Sequence, residues 1–479
     1  MPRSFMETRF PPGPSSTLAE RARAALDDRF LQQALETATT RFQVLRREAY
    51  RDFPEGDFLR ERGRQIKEAV LQRMDYYLEL LADNVEKAGG VVHWAADASE
   101  AREIVVALAR QRGVRLVVKS KSMVTEEIDL NEALEAAGIT PVETDLGEYI
   151  IQLAHERPSH IIAPAIHKTR GQVADLFSKK LGRPLAADPE VLTAAARQEL
   201  REKFFEAAMG ISGANFAVAE TGTIVLITNE GNGRLVTTLP RIHVAVMGME
   251  KVIPSLTDLM VFLQILPRSA TGQKLSSYTT MIRGPRRAAE VDGAEEFHLV
   301  ILDGGRSAQL AGRFREALYC LRCGACLNVC PVYRQIGGHA YGGTYAGPIG
   351  ILAAAMLRGT GAAKELAHAS SLCGACQEAC PVKIDIPRML IELRQGLDED
   401  RIAPWGERVM FRLFARLLVR PSLFRLAGRL GRVVQRPFLR GGRLRSLPLV
   451  LKAWTDYRDL SPLAPRSFRE RWDEMRGRG

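Results

Sequence analysis

The stretch CLRCGACLNVCP, residues 320–331, contains four cysteines with the spacing C-x2-C-x2-C-x3-C followed by proline. A second stretch, CGACQEACP at residues 373–381, repeats the last three cysteines and the proline. Together they hold all seven cysteines of the 479-residue chain. Thiolates are soft ligands that suit iron–sulfur clusters, and this spacing is that of bacterial ferredoxins. The sequence therefore predicts a domain that binds iron–sulfur clusters and transfers electrons.

The two runs are expected to share their ligands between two [4Fe–4S] clusters. In two-cluster ferredoxins the last cysteine of each run binds the other cluster. The predicted ligands of the first cluster are Cys320, Cys323, Cys326 and Cys380. The predicted ligands of the second cluster are Cys330, Cys373 and Cys376.

The second run lacks a cysteine at one position. Ser370 lies three residues before Cys373, where a fourth thiolate is expected. The second cluster is then a [4Fe–4S] cluster with one iron bound by Ser370 or water, a [3Fe–4S] cluster, or a cluster with a ligand from a partner. Alternatively, Ser370 only caps the turn, as serine commonly does.

Two other roles of the cysteines fit the sequence less well. A zinc site has four ligands, typically in paired C-x2-C knuckles, whereas this chain has seven cysteines and two Cys-Pro endings. Disulfide frameworks belong to short secreted chains. Residues 1–16 lack the apolar region of a secretory signal, and no stretch reaches the ~18 uninterrupted apolar residues of a membrane span. These features predict a cytoplasmic protein.

The positive charge of the chain is concentrated at its end. The net charge is +11, yet residues 401–479 contain 19 Lys/Arg and 6 Asp/Glu, and the remaining residues sum to −2. The chain as a whole therefore gives no support for nucleic-acid binding. Arginine recurs every four residues between Arg408 and Arg420, which predicts a basic helix that ends at Pro421. Residues 401–440 are expected to dock on an acidic surface of the protein or a partner, or to lie peripherally on the inner face of an anionic membrane.

The residues before the cysteines predict helices and then an α/β layer. Leu18 to about Asn84 is expected to be helical, and short apolar runs then alternate with amphipathic helices, the βαβ pattern. The predicted strands are 91–92, 114–118, 141–143 and 161–162, and the predicted helices are 99–112, 126–137, 174–181 and 189–209. A strand-rich block is expected at 216–226, 234–238 and 242–247, with a hairpin turn at Asn232-Gly233.

Two polar stretches of this region are candidate ligand contacts. Lys119-Ser-Lys-Ser122 follows a predicted strand, at the end where α/β sheets usually bind ligands. Glu220-Thr-Gly-Thr223 places a carboxylate beside a glycine turn. In both cases the alternative is a solvated loop. The chain has no GxGxxG or GxxxxGK[ST] motif, so a dinucleotide or P-loop site has no support.

The order of motifs resembles a known family, the bacterial lactate-utilisation protein B family, whose members are iron–sulfur components of an L-lactate oxidation complex. The resemblance covers nearly the full chain. It rests on both cysteine runs and on SKSM at 120–123, AETGT at 219–223, NEGN at 229–232, TTLPRIH at 237–243, QKLSSYT at 273–279 and ASSLCGAC at 369–376.

This resemblance implies four regions. They are an N-terminal helical segment (1–60), an α/β lactate-utilisation domain related to the ribose-5-phosphate isomerase/CoA-transferase fold (61–305), a helical ferredoxin domain with two clusters (306–400) and a basic family-specific region (401–479). It also implies that the protein oxidises L-lactate to pyruvate together with two other subunits. The electron acceptor is not identified.

Two functions remain open from the sequence. In the first, the chain is an electron-transfer subunit without catalytic residues of its own, which the absence of a flavin or nicotinamide motif favours. In the second, the α/β domain itself binds and helps oxidise the hydroxy acid, or the substrate is another 2-hydroxy acid such as glycolate. His155, His160, His167 and His243 are more simply explained by packing or hydrogen bonding, because the sequence shows no acid/base pair.

Overall fold

The computed structural model describes residues 16–400, 405–455 and 458–477. The described residues form two compact units, which are divided between Glu399 and Asp400. The first contains both cysteine runs and the α/β layer.

Four consecutive helices open the first unit. They are α1 (Leu18–Asp27), α2 (Arg29–Arg51), α3 (Gly56–Gln72) and α4 (Met74–Lys87). Thr17 and Glu20 form a capping box at α1, and the Asp28 carboxylate accepts hydrogen bonds from the first turn of α2. The predicted helical stretch 18–84 is therefore confirmed.

The α/β domain follows as two sheets with helices between their strands. Its strands are β1 (Val91–Ala95), β2 (Leu116–Lys119), β3 (Thr140–Glu143), β4 (Met209–Ser212), β5 (Phe216–Val218), β6 (Thr223–Thr228), β7 (Ile242–Gly248), β8 (Val252–Ile253), β9 (Tyr278–Ile282) and β10 (Glu296–Leu302). Its helices are α5 (Ala98–Gln111), α6 (Met123–Glu127), α7 (Leu130–Ala136), α8 (Leu146–Ala154), α9 (Arg170–Leu181), α10 (Pro189–Glu206), α11 (Asn232–Thr238) and α12 (Leu256–Ala270).

The larger sheet has the order β1-β10-β7-β4-β2-β3, and all its pairs are parallel. Its central strands read as apolar runs because helices cover both faces. The smaller sheet has the order β8-β5-β6-β9, in which β6 is antiparallel to both neighbours. The predicted layered α/β domain is confirmed.

Several predicted elements of this domain are wrong. Residues 234–238 form helix α11 rather than a strand, since Thr237 donates a side-chain hydrogen bond back to the carbonyl of Gly233 within the turn. Asn232-Gly233 begins this helix and makes no hairpin, and the antiparallel turn lies between β5 and β6 instead. Residues 161–162 are not a strand, because the N–H of Ile162 donates to the ring of His160 and the chain bends. The predicted helix 126–137 is interrupted at Asp129, whose φ is 49°.

The cysteines lie among short helices that pack on the N-terminal helices. These are α13 (Ala325–Val329), α14 (Tyr333–Ile336), α15 (Gly347–Arg358), α16 (Ala375–Ala379) and α17 (Ile386–Glu399). Helix α2 packs against α13 and α14, and α1 packs against α14. The N-terminal helices thus belong to the structural surroundings of the cysteines.

The second unit contains α18 (Trp405–Val419), α19 (Pro421–Val434), β11 (Leu439–Arg440), β12 (Arg443–Leu444) and α20 (Phe468–Arg476). The predicted basic helix is confirmed, and the break before Pro421 lies where it was expected. Apolar side chains of these helices are exposed, among them Phe411, Phe414 and Phe424. Among the described residues, none of the helices has the length and hydropathy needed to cross a membrane.

Candidate metal centre

The two cysteine loops share one backbone conformation. The residue before Cys323 and the residue before Cys373 are both left-handed, with φ of 60° at Arg322 and 55° at Leu372. The glycine after each of these cysteines is also left-handed, with φ of 75° at Gly324 and 82° at Gly374. Positive φ is uncommon for residues other than glycine, so its recurrence marks a structural repeat. Each loop leads into a single-turn helix, and these helices, α13 and α16, pack against each other.

Backbone N–H groups point at the sulfur atoms. The N–H of Arg322 donates to Sγ of Cys320 at 3.4 Å. The N–H groups of Ala325 and Ala375 donate to the sulfurs of Cys323 and Cys373 in the same way. Such hydrogen bonds stabilise thiolate charge and tune the potential of a cluster. Thiols that accept hydrogen bonds from backbone N–H groups therefore fit iron–sulfur clusters.

The thiols fall into two neighbourhoods. Burial, and then the adjacent Cys380 and Cys320, raise the pKa of Cys323 to about 12. Burial, and then the adjacent Cys330, raise the pKa of Cys376 to about 12. Buried thiolates are unfavourable without counter-charge, which the iron of a cluster supplies. In both neighbourhoods the last cysteine of one run adjoins the other run, and Cys326 is acted on by cysteines of both neighbourhoods. The crossed ligand assignment stays a prediction.

The two neighbourhoods differ in exposure. Cys373 is exposed and Cys320 is half-buried, whereas the other five cysteines are buried. The second neighbourhood therefore reaches the protein surface at Cys373.

Ser370 occupies the place that Cys320 has in the first loop. The N–H of Leu372 donates to Oγ of Ser370 at 3.2 Å, just as the N–H of Arg322 donates to Cys320. This hydrogen bond is the turn cap that the sequence suggested. Because Sγ of Cys320 accepts the equivalent hydrogen bond, Oγ of Ser370 corresponds in position to that sulfur, and its role as a cluster ligand stays a prediction.

The wider spacing of the thiols differs from that of a single-ion site. Within the described residues, no three His, Cys, Asp or Glu side chains converge closely enough to hold one metal ion.

The N-terminal helices hold the cysteine loops through long polar side chains, which the sequence did not reveal. The guanidinium of Arg60 donates to the carbonyls of Cys380 and Glu378, at 2.8 and 2.6 Å. The amide of Gln43 donates to the carbonyl of Asn328 at 2.7 Å. No motif signals these contacts, because they join residues about 300 positions apart.

His160 joins the α/β domain to the first cysteine loop. Its Nε2 lies 3.1 Å from Oδ1 of Asn328, and its Nδ1 accepts from the N–H groups of Ile162 and Ala163. Because Nδ1 accepts, Nε2 carries the proton and donates to Asn328. Burial lowers the pKa of His160 to about 3, so the ring is neutral. The prediction that His160 is a packing residue fits this geometry.

A cavity of about 290 Å³ lies between the α/β domain and the first cysteine loop. Its walls come from the carboxyl ends of β2 and β4, the end of β6 with the following loop, the end of α12, and residues 321–323. Ligands of α/β sheets bind at the carboxyl ends of strands, so the cavity has the expected position. Cys323 lines it directly.

The residues of the predicted Lys119–Ser122 stretch have two roles, one in the core of the domain and one in the wall of the cavity. Lys119 is fully buried and pairs with Glu143 at 2.5 Å, so it is a structural residue. Ser120, Lys121 and Ser122 line the cavity. The sequence thus identified the location, while the roles of the two lysines depend on the packing.

Glu220, the other predicted ligand contact, does not line the cavity, and neither do the three histidines that were predicted, with His160, to serve in packing or hydrogen bonding. Glu220 is exposed and accepts a hydrogen bond from the N–H of Leu256. His243 bonds to Ser212 within the sheet, and His167 pairs with Glu156 at 2.7 Å. His155 ends α8 in a left-handed conformation.

A buried charge network adjoins the cavity. Arg306 is 1% exposed and bonds to Glu250 at 2.6 Å and to Glu127 at 2.9 Å. Arg322 lies 3.8 Å from the second oxygen of Glu250 and packs over the ring of Tyr345. The network fixes Arg322. Arg322 and Leu321 are the two residues between Cys320 and Cys323.

Comparison with known proteins matches each part of the chain. Residues 316–384 match the 4Fe-4S dicluster domain family, residues 78–302 the LUD domain family, and residues 397–477 the C-terminal region of lactate utilisation protein B. The chain is 45% identical over 459 residues to lactate utilization protein B of Bacillus licheniformis, covering 95% of this chain and 96% of that protein. It is 44% identical over 462 residues to the protein of the same name from Lysinibacillus sphaericus, covering 96% and 97%. The chain belongs to the lactate utilisation protein B family.

The family resemblance predicted from the motifs is therefore confirmed. A solved structure, of a DUF162 family protein from Deinococcus radiodurans, aligns at 14% identity and a TM-score of 0.26, covering 48% of this chain and 98% of that one. An alignment of this quality carries no argument. For this member of the lactate utilisation protein B family, the parallel-sheet α/β domain and the iron–sulfur domain rest on the family matches and on the structure itself.

Proposed function

We propose that this protein is the iron–sulfur electron-transfer subunit of a complex that oxidises L-lactate to pyruvate. The observation that carries the proposal is the dicluster domain, whose seven thiols lie in two neighbourhoods within a chain of the lactate utilisation protein B family. Oxidation of a 2-hydroxy acid to a 2-oxo acid releases two electrons and two protons. Two clusters that each carry one electron can accept that pair in sequence.

The exposure of the cysteines supports a direction for the electrons. The first cluster would be held beside the cavity by Cys323, and the second would reach the surface at Cys373. We infer that electrons pass from the first cluster to the second and leave near Cys373 to an acceptor.

The crossed ligand assignment is tested by exchanging one cysteine of each run. Cys330→Ala is expected to damage the cluster held by Cys373 and Cys376, and Cys380→Ala the cluster held by the first run. EPR spectra of the two reduced variants report which cluster is lost. Damage confined in each case to the cluster of the same run contradicts the crossed assignment.

The remaining parts of the chain are proposed to serve assembly. The expected partners are two other lactate-utilisation subunits, and the basic residues 401–440 provide a surface for an acidic partner or, peripherally, a membrane. The relation of the α/β domain to the ribose-5-phosphate isomerase/CoA-transferase fold stays a prediction.

The cavity favours a second candidate function, in which the α/β domain itself binds the hydroxy acid, L-lactate or a smaller one such as glycolate. Turnover of lactate by the isolated protein with an artificial electron acceptor separates the two functions. We expect no turnover without the partner subunits, and turnover by the isolated chain would establish the second function.

A further inference from the structure

Among the described residues, one lysine in the wall of the cavity has no carboxylate within ion-pair distance. Lys251 is 6% exposed and makes no side-chain hydrogen bond within the described ranges, and the negative groups that act on it are Glu250 and then the thiol of Cys320. The adjacent carboxylate of Glu250 is already bonded to Arg306 at 2.6 Å. A buried ammonium is unfavourable unless an anion compensates it. Lys251 therefore favours binding of a negative charge in the cavity.

The other charged groups of the wall limit that charge to one. Lys121 lies 3.9 Å from the carboxylate of Glu148 without a hydrogen bond, and Arg322 lies 3.8 Å from that of Glu250. Three cations (Lys121, Lys251 and Arg322) and two carboxylates (Asp145 and Glu230) line the wall, so its formal charge is +1. The two carboxylates repel additional negative charge. A monoanion matches this wall better than a dianion such as sulfate.

The wall also offers donors and an apolar surface for a short carbon chain. Ser120 and Ser122 are buried at the cavity, and Ser122 accepts a hydrogen bond from the N–H of Thr125, which leaves its own O–H free to donate. Ile161, Leu226 and Leu266 supply apolar contacts. The volume of about 290 Å³ suits a small ligand.

We propose that this cavity binds a small monocarboxylate, with the carboxylate at Lys251 and the serine hydroxyls and the carbon chain against the apolar wall. The proposal rests on the proposed function in one respect, namely that a 2-hydroxy or 2-oxo acid is the expected ligand class. Because Cys323 lines the same cavity, the bound anion lies beside the first cluster and lowers its reduction potential more than that of the second.

Calorimetric titration of the anaerobically reconstituted full-length protein tests the proposal. L-lactate, pyruvate and acetate are expected to bind, whereas lactamide, which has no charge, and sulfate, which is a dianion, are not. Lys251→Met is expected to weaken binding at least ten-fold, and Ser120→Ala several-fold with little effect on folding. Lys203→Met, at an exposed lysine of α10, is the matched control and leaves binding unchanged.

Several results would overturn the proposal. The first is that wild-type protein with full cluster content binds no monocarboxylate. The second is that lactamide binds as tightly as L-lactate. The third is that the Lys251→Met and Ser120→Ala variants both bind with unchanged affinity. If the wild-type protein binds no anion while Lys251→Met shifts the potential of the first cluster, the lysine acts on the cluster alone and the proposal is wrong. If the cavity binds monocarboxylates but the partner subunits do not reduce the clusters, only the proposed function is wrong. Failure of the anion-binding proposal and failure of the proposed function are therefore distinguishable.

Discussion

The substitutions Gly324→Ala and Gly374→Ala are expected to affect the stability of the two clusters differently, although both glycines have the same backbone conformation. A Cβ at Gly324 would lie 2.9 Å from Cε1 of His160, closer than real Cβ atoms approach other atoms. A Cβ at Gly374 meets no heavy atom within 4 Å. The two substitutions therefore share the strain of positive φ and differ in the collision with His160.

The magnitudes follow from these two terms. A left-handed conformation costs about 1–2 kcal/mol for alanine, and this term cancels between the variants. Overpacking of a well-packed contact costs about a further 1–3 kcal/mol, and it applies to Gly324→Ala alone. A free-energy difference of 1.4 kcal/mol is a factor of ten in an equilibrium. In Gly324→Ala, the form in which the first cysteine loop (320–331) has opened should therefore be roughly 5- to 150-fold more populated than the strain of the left-handed conformation alone predicts.

Iron release to a ferrous chelator under anaerobic conditions measures this population. The rate for each variant is divided by the wild-type rate for the same cluster, with the two clusters distinguished by EPR. We expect the larger ratio for Gly324→Ala at the first cluster. Equal ratios, or a larger ratio for Gly374→Ala, would refute the packing of His160 against the cysteine loop.

Three further predictions follow from other parts of the structure. Burial, and then His298, lower the pKa of His243 from 6.5 to about 3. As the pH falls, His243 therefore becomes protonated in the unfolded chain before it does in the folded protein. The free energy of unfolding is unaffected by this residue above pH 6.5 and should decrease by about 2 kcal/mol between pH 6.5 and 5. Urea denaturation of His243→Gln should show a smaller decrease, and identical pH dependence would contradict the assignment. Ser370→Cys should supply a fourth thiolate to the second cluster and suppress the [3Fe–4S] EPR signal that we expect on oxidation of the wild type, whereas equal signals would show that the side chain is remote from the cluster. Residues 401–440 should dock on a partner, so the isolated protein should not sediment with anionic liposomes at low salt; salt-sensitive sedimentation that is lost on deleting 401–479, with cluster content retained, would show membrane contact instead.

The sequence predicted those features that depend on local spacing. The cysteine runs, the parallel βαβ pattern and the ligand-facing end of β2 could all be predicted, because each is encoded within a few consecutive residues. Residues 234–238 could not, since their β-branched side chains favour a strand while the hydrogen bond from Thr237 to Gly233 closes a helical turn.

The cavity and the support of the cysteine loops depend on contacts between distant segments. Lys251 carries no signal in the sequence, because its role depends on the place where the residue before β8, the end of α12 and residues 321–323 meet. Likewise, Arg60 reaches the carbonyl of Cys380 across 320 positions of the chain. Local periodicity and motif spacing carry no information about such contacts.

The central claim is that this chain holds two iron–sulfur clusters, and the iron and sulfide content tests it most directly. Anaerobically reconstituted protein should contain about eight iron and eight labile sulfide ions per chain if both clusters are [4Fe–4S], or about seven iron and eight sulfide if the second is [3Fe–4S]. About four of each would contradict the two-cluster account.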